Sequence, residues 1–144
     1  MSRREPTQVQ ALTGLIRLER VRALAYRRAL ASDRLGREAR AMAVRFAEHS
    51  DARADALRPG LEALGGGLDG PQPLERDDDP LGVARDEAAL LRALARLERV
   101  AIDTCARAQA RLEVPELMQT VASVMGGHAQ QLAALQLALG EEPG

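Results

Sequence analysis

Apolar residues recur along this chain at spacings of three and four, in four separate runs. The first places Leu12, Leu15, Ile16, Ala23, Tyr26 and Leu30 on one stripe, which is the period of an amphipathic helix and predicts a helix over about 8–31. Thr7, with Gln10 three residues on, reads as its capping box. After a break at 32–36, a second stripe of Ala39, Met42, Phe46, Leu57, Leu61 and Leu64 predicts a helix over about 37–64. Pro59 is expected to kink it or end its regular part, and Gly65-Gly66-Gly67 to stop it. Leu91, Leu94, Ala101, Cys105, Ala108 and Leu112 predict a third helix over about 85–112. Val114-Pro115 breaks the chain, with Pro115 suited to the first turn of the next helix. Leu117, Val121, Val124, Leu132 and Leu135 predict that fourth helix over about 115–139, capped by Gly140.

Between the second and third helices, 65–83 has no periodicity and carries Gly, Pro and the acidic run Asp77 to Asp79. A connection of roughly 19 residues is long for a compact domain. Fully extended it reaches about 60 Å, whereas a helix of about 25 residues spans only about 38 Å. The linker can therefore return along a whole bundle and start the third helix parallel to the second. The expected fold is a single all-α domain over 1–144, an antiparallel four-helix bundle with one long crossover between helices two and three, the topology of ferritin-like bundles.

Some stripe positions carry polar residues. Glu19 interrupts the first stripe, Glu98 the third, and His128 and Gln131 stand in register on the fourth. The first and third helices also repeat each other. Leu15 to Leu30 aligned on Leu94 to Gln109, an offset of 79, keeps Leu-x-Arg-Leu-Glu-Arg-Val intact and lays Glu19 on Glu98 and Tyr26 on Cys105. At an offset of 78, Phe46 falls on Val124, Leu57 on Leu135 and Leu61 on Leu139. A duplicated helical hairpin accounts for both, and compositional bias toward Ala, Leu and Arg is the competing account.

Composition narrows the functions. The 144 residues include 27 Ala and 22 Leu, all 20 basic residues are Arg, and the aromatics are Tyr26 and Phe46 alone. Two aromatics cannot build a base-stacking platform, and a net charge of −1 argues against a general phosphate-backbone binder, so no nucleic-acid partner is expected. Residues 1–58 hold 13 Arg against 7 acids and residues 59–144 hold 7 Arg against 14. A basic hairpin therefore faces an acidic one, an asymmetry that also favours a homo-oligomer, a dimer first of all. No apolar run has the length of a membrane span. The start, MSRREPTQVQ, has no apolar run behind its charges, so no signal peptide is expected. The single Cys105 fits a reducing, cytoplasmic setting as a packed core residue. No nucleophile–base pattern, phosphate loop or Cys/His zinc spacing is present.

The stretches LIRLERVRALAYRRAL (15–30), FAEHSDARADALRPGLEALG (46–65) and PELMQTVASVMGGHAQQLAALQLALG (115–140) resemble those of small bacterial ferritin-like domain proteins, and the resemblance covers nearly the full length. It implies one Glu from each of two helices and Glu-x-x-His from each of the other two, six side chains around a pair of Fe or Mn ions. Residues i and i+3 share a helix face, which is why one carboxylate and one imidazole at that spacing bind one ion. On that pattern Glu19 and Glu98 take the single-Glu positions. The Glu-x-x-His slots hold Ser50 and Arg53 on the second helix, and His128 and Gln131 on the fourth. No Glu-x-x-His occurs in the chain.

Three functions follow as expectations. The first is a bundle that has lost its di-metal centre, holds no cofactor and serves as a non-catalytic structural, binding or oligomeric protein. Arg53 would bridge Glu19 and Glu98 in place of the ions, with His128 and Gln131 completing the hydrogen bonds. The second is a divergent Fe or Mn oxidase or storage protein using Glu19, Glu98, His128 and His49. The third is a binding module with a small apolar ligand or a partner helix in an interior opened by Ala, Cys and Gly. The bland alternatives are that the two glutamates face solvent, that Arg53 snorkels to the surface, and that Tyr26 is a core filler. Gly126 and Gly127 inside a helix cost about 1 kcal/mol each relative to Ala, and either admit a bulky neighbour such as Arg53 or Tyr26, admit a small ligand, or are tolerated drift.

Overall fold

The computed structural model describes residues 4–67 and 81–141. Among these the chain forms four helices and no strand: α1 (Arg4–Ala31), α2 (Arg37–Ala63), α3 (Glu87–Gln109) and α4 (Pro115–Ala138). The four apolar stripes are what these helices bury.

The element ends differ in instructive ways. The chain is already helical at Arg4, so Thr7 lies inside α1 and forms no capping box. Gln8, on the same turn, is buried and accepts the backbone N–H of Glu113 at 3.0 Å, which ties the start of α1 to the α3–α4 connection. α2 runs through Pro59 to Ala63. α3 starts later than its stripe suggests because Asp86 is its N-cap, accepting from the Ala89 N–H at 2.8 Å. Pro115 does open α4.

α2 and α4 end alike. Gly65 and Gly140 adopt φ of +81° and +76°, a conformation that costs a residue without Cβ little. This turns the Gly66 N–H onto the Leu61 carbonyl at 3.0 Å and the Glu141 N–H onto the Gln136 carbonyl at 2.8 Å, satisfying carbonyls a helix end would otherwise leave open.

Helix directions follow from who meets whom. A side chain at Gly60 would collide with Leu117 and come within 3.6 Å of Leu12, so the end of α2 lies beside the starts of α1 and α4. At the opposite end, the Gly36 N–H donates to the Glu87 carboxylate and Arg34 donates to the Ala84 carbonyl. α3 therefore begins beside the α1–α2 turn and runs parallel to α2. Residues 67 and 81 stand at opposite ends of the bundle, as a long crossover requires; most of the expected 65–83 linker lies outside the described residues. α1 packs against α2 and α3, and α4 against α3 and α2, leaving α1/α4 and α2/α3 as diagonals.

The apolar interior is divided in two. One cluster, toward the α1–α2 turn, gathers Tyr26, Ala29, Phe46, Leu90, Leu94 and Leu135 with their neighbours. The other gathers Leu12, Leu15, Ile16, Leu57, Cys105, Ala108, Val121 and Val124. The internal repeat maps one onto the other. Leu15 and Leu94, Tyr26 and Cys105, Ala29 and Ala108, Phe46 and Val124, and Leu57 and Leu135 each divide between the two clusters. The hairpins are thus related as by a two-fold rotation across the middle of the bundle. No helix among the described residues is long and apolar enough to cross a membrane.

Candidate functional site

The seam between the two clusters is polar. α1 contributes Glu19 and Arg22, α2 Ser50 and Arg53, α3 Glu98, and α4 His128 and Gln131. Each set sits one helical turn apart on its buried face. Glu19, Ser50, Glu98 and His128 are completely enclosed, and Arg22 and Gln131 nearly so. Burying unpaired carboxylates is costly, so their partners decide what the seam is.

His128 lies between the two glutamates. Its Nδ1 meets Glu98 Oε2 at 2.6 Å and its Nε2 meets Glu19 Oε1. α4 is diagonal to α1, so the imidazole spans the core to reach Glu19. A ring nitrogen can bond a carboxylate only as a donor, and both donate only in the imidazolium. Burial by itself lowers the His128 pKa. The bonds to Glu19 and Glu98 and their charges outweigh that and hold it above the ordinary histidine value.

Glu98 is richly served. Besides His128, its Oε1 accepts the Tyr26 hydroxyl at 2.6 Å and Gln131 Nε2 at 3.1 Å. Burial first, then the Glu98 charge, pushes the Tyr26 phenol well above its ordinary pKa. Glu19 is poorly served. Its second partner is Arg53, at 4.0 Å from Oε2, beyond hydrogen-bond reach. Opposite Glu19, the repeat places Cys105 where Tyr26 serves Glu98. Burial, and after it the Glu19 charge, pushes this thiol up to about 12.

The buried polar side-chain atoms without hydrogen-bond partners among the described residues all belong to this seam: Glu19 Oε2, Arg22 Nε and Nη1, Ser50 Oγ, Arg53 Nη1 and Gln131 Oε1. Arg22 Nε and Nη1 make no hydrogen bond among the described residues. The burial of Arg22 lowers its pKa, and Glu98, the Tyr26 phenol and Glu19 oppose that.

The expected Arg53 bridge is not what forms. His128 bridges the carboxylates, and Arg53 pairs with Glu19 alone. The reason lies at Gly127, where a Cβ would overlap Arg53 Nη2 and come within 2.9 Å of its Cζ. The missing side chain seats the guanidinium against α4 rather than between the glutamates. Gly126, by contrast, has nothing near its Cβ direction. His49 stands outside the seam, exposed and against the Phe46 ring at 6.2 Å. It precedes Ser50 by one residue, about 100° around the helix, and so cannot join Glu19, Glu98 and His128. Among the described residues no group of three or more His, Cys, Asp or Glu side chains is arranged to hold a metal ion.

Arg22 and the Tyr26 hydroxyl are the seam residues the sequence reading passed over. Both had a signal. Arg22 follows Glu19 by three residues, and a buried Tyr must find its hydroxyl a partner.

The family model for the ferritin-like domain matches residues 7–141. The chain belongs to the ferritin-like domain family. Neither the curated proteins nor the solved structures searched contain a match. In this ferritin-like domain, the two glutamates and the two i,i+3 pairs meet in one layer at the middle of the bundle.

Proposed function

We propose that this ferritin-like domain neutralises its central carboxylates with its own side chains and serves as a non-catalytic structural, binding or oligomeric protein. One observation carries the reading: both ring nitrogens of His128 are engaged by Glu19 and Glu98. A metal-ligating imidazole needs an unprotonated ring nitrogen, and none is left. The remaining donors also do not fit a di-metal centre. A guanidinium is never a ligand, yet Arg53 occupies one slot and lies beside Glu19. Gln131 occupies another and is spent on Glu98. Ser50 offers a neutral hydroxyl where the family pattern has a carboxylate.

Metal analysis of protein purified without chelators tests this. Far less than one Fe, Mn or Zn per chain is expected, with no iron-dependent oxygen consumption. Stoichiometric metal overturns it. The basic and acidic hairpins favour a homodimer, which sedimentation at several salt concentrations measures.

The convergence of Glu19, Glu98 and His128 in one buried layer supports a second reading, a divergent metal-binding protein of oxidase or storage type. It requires His128 to surrender one carboxylate. Iron-dependent oxygen uptake that disappears in E19Q and E98Q would favour it.

A further inference from the structure

Cations outnumber anions in the seam. Arg22, Arg53 and the doubly bonded His128 face two carboxylates, Glu19 and Glu98. Among the unpartnered atoms, those of Arg22 and Arg53 can only donate. Ser50 adds a fully buried hydroxyl with no partner. The contacts of Glu19 with Arg53 and of Tyr26 with Phe46 set the α1–α2 register and place Arg22 level with Ser50. Unpartnered donors of Arg22, Arg53 and Ser50 therefore collect on the α1–α2 side of the seam, beside the unpartnered Glu19 Oε2.

A groove of about 670 Å³ runs between α2 and α4, with Arg53 in its wall. It is shallow and mostly open to solvent. Ala52, Ala56 and Val124 give it apolar surface, and Gln119 and Ser123 give it polar atoms. Arg53 is its one cationic lining residue, 15% exposed, and makes no hydrogen bond among the described residues. Its Nη1 is enclosed and lies 4.0 Å from Glu19 Oε2, beyond hydrogen-bond reach, and a partly desolvated guanidinium whose acceptors are incomplete is a strong receptor for a carboxylate.

We propose that the α2–α4 groove binds a small amphipathic carboxylate, its head group on Arg53 and its apolar portion on Ala52, Ala56 and Val124. Gly127 is what leaves room for the guanidinium at this mouth. Glu116 on the same wall repels a second negative charge, which selects monocarboxylates over dicarboxylates. The proposal stands on Arg53 and the groove, and its failure is separable from that of the metal-free reading because the measurement uses EDTA-treated protein.

The probes are hexanoate and its neutral counterpart hexanamide, titrated while following amide resonances. Hexanoate is expected to shift resonances of α2 and α4 around 52–56 and 119–127, saturably, and hexanamide to bind at least about tenfold more weakly. R53Q is expected to weaken hexanoate by at least about tenfold. A56F fills the groove from its exposed side, leaves the seam untouched, and is expected to abolish binding while unfolding like the parent. Equal binding of hexanamide, unaltered binding by A56F, or shifts elsewhere on the surface would overturn the proposal.

Discussion

The guanidinium of Arg53 occupies the space that a side chain on Gly127 would need. One helix gives up a Cβ so that another can bring a charged group to the edge of the core. Gly126, one residue earlier, gives up the same atom with nothing in its place. The two glycines should therefore respond differently to alanine. G126A should stabilise the bundle by about 0.5–1 kcal/mol, the usual helix-propensity difference. G127A should show no gain, or a loss, because the displaced Arg53 leaves Glu19. Urea unfolding of the two variants side by side measures this.

Removing the imidazole alone should be severe. H128L leaves two enclosed carboxylates facing each other, and loss of one partner from a buried charge group typically costs about 3–5 kcal/mol. The variant E19L/R22L/R53L/E98L/H128L removes the seam's charges together and should recover much of that loss. If it is no more stable than H128L, the seam is not an electrostatic unit.

Stability should depend on pH through His128. Its folded pKa is raised above the ordinary 6.5, so the folded state holds the proton more tightly than the unfolded chain. The resulting stabilisation is fully present below about pH 6.5 and is lost as pH rises through the folded value, at up to about 1.4 kcal/mol per pH unit. Unfolding free energies from pH 6 upward should fall along this window, and H128Q should remove the slope.

Tyr26 is the sole tyrosine and there is no tryptophan, so phenolate absorbance reads one group. Its raised pKa predicts that no phenolate forms until the bundle unfolds in alkali. Y26F, which deprives Glu98 of a charge-assisted bond, should cost about 1.5–3 kcal/mol.

Cys105 is equally convenient, being the only cysteine. Fully buried and with its thiol pushed up to about 12, it should resist thiol reagents in the native state and react at once in denaturant. Fast labelling of native protein would contradict the enclosed position.

The helices were legible because spacing alone marks the face each one buries, and the seam's level was legible because Glu19, Glu98, His128 and Gln131 interrupt apolar stripes. The pairing within the seam was not. Arg53 and His128 both offer a cation at the right height, and only the space at Gly127 and the diagonal reach of the imidazole decide which one bridges. Arg22 was hidden among the other arginines of α1, where nothing in the letters separates a buried guanidinium from exposed ones. The start of α1 was missed because a polar first turn has no stripe to follow.

The exchange of the two apolar clusters by the repeat has a consequence for fragments of the chain. Neither hairpin owns a core: each supplies part of both clusters and one carboxylate of the triad, and the imidazole comes from the second hairpin alone. Cut between residues 67 and 81, the chain yields two pieces that complete each other. A pair of first hairpins would bring Glu19 against Glu19 with no histidine between them. Heterologous reassembly of the pieces is thereby favoured over self-pairing, by charge rather than by shape.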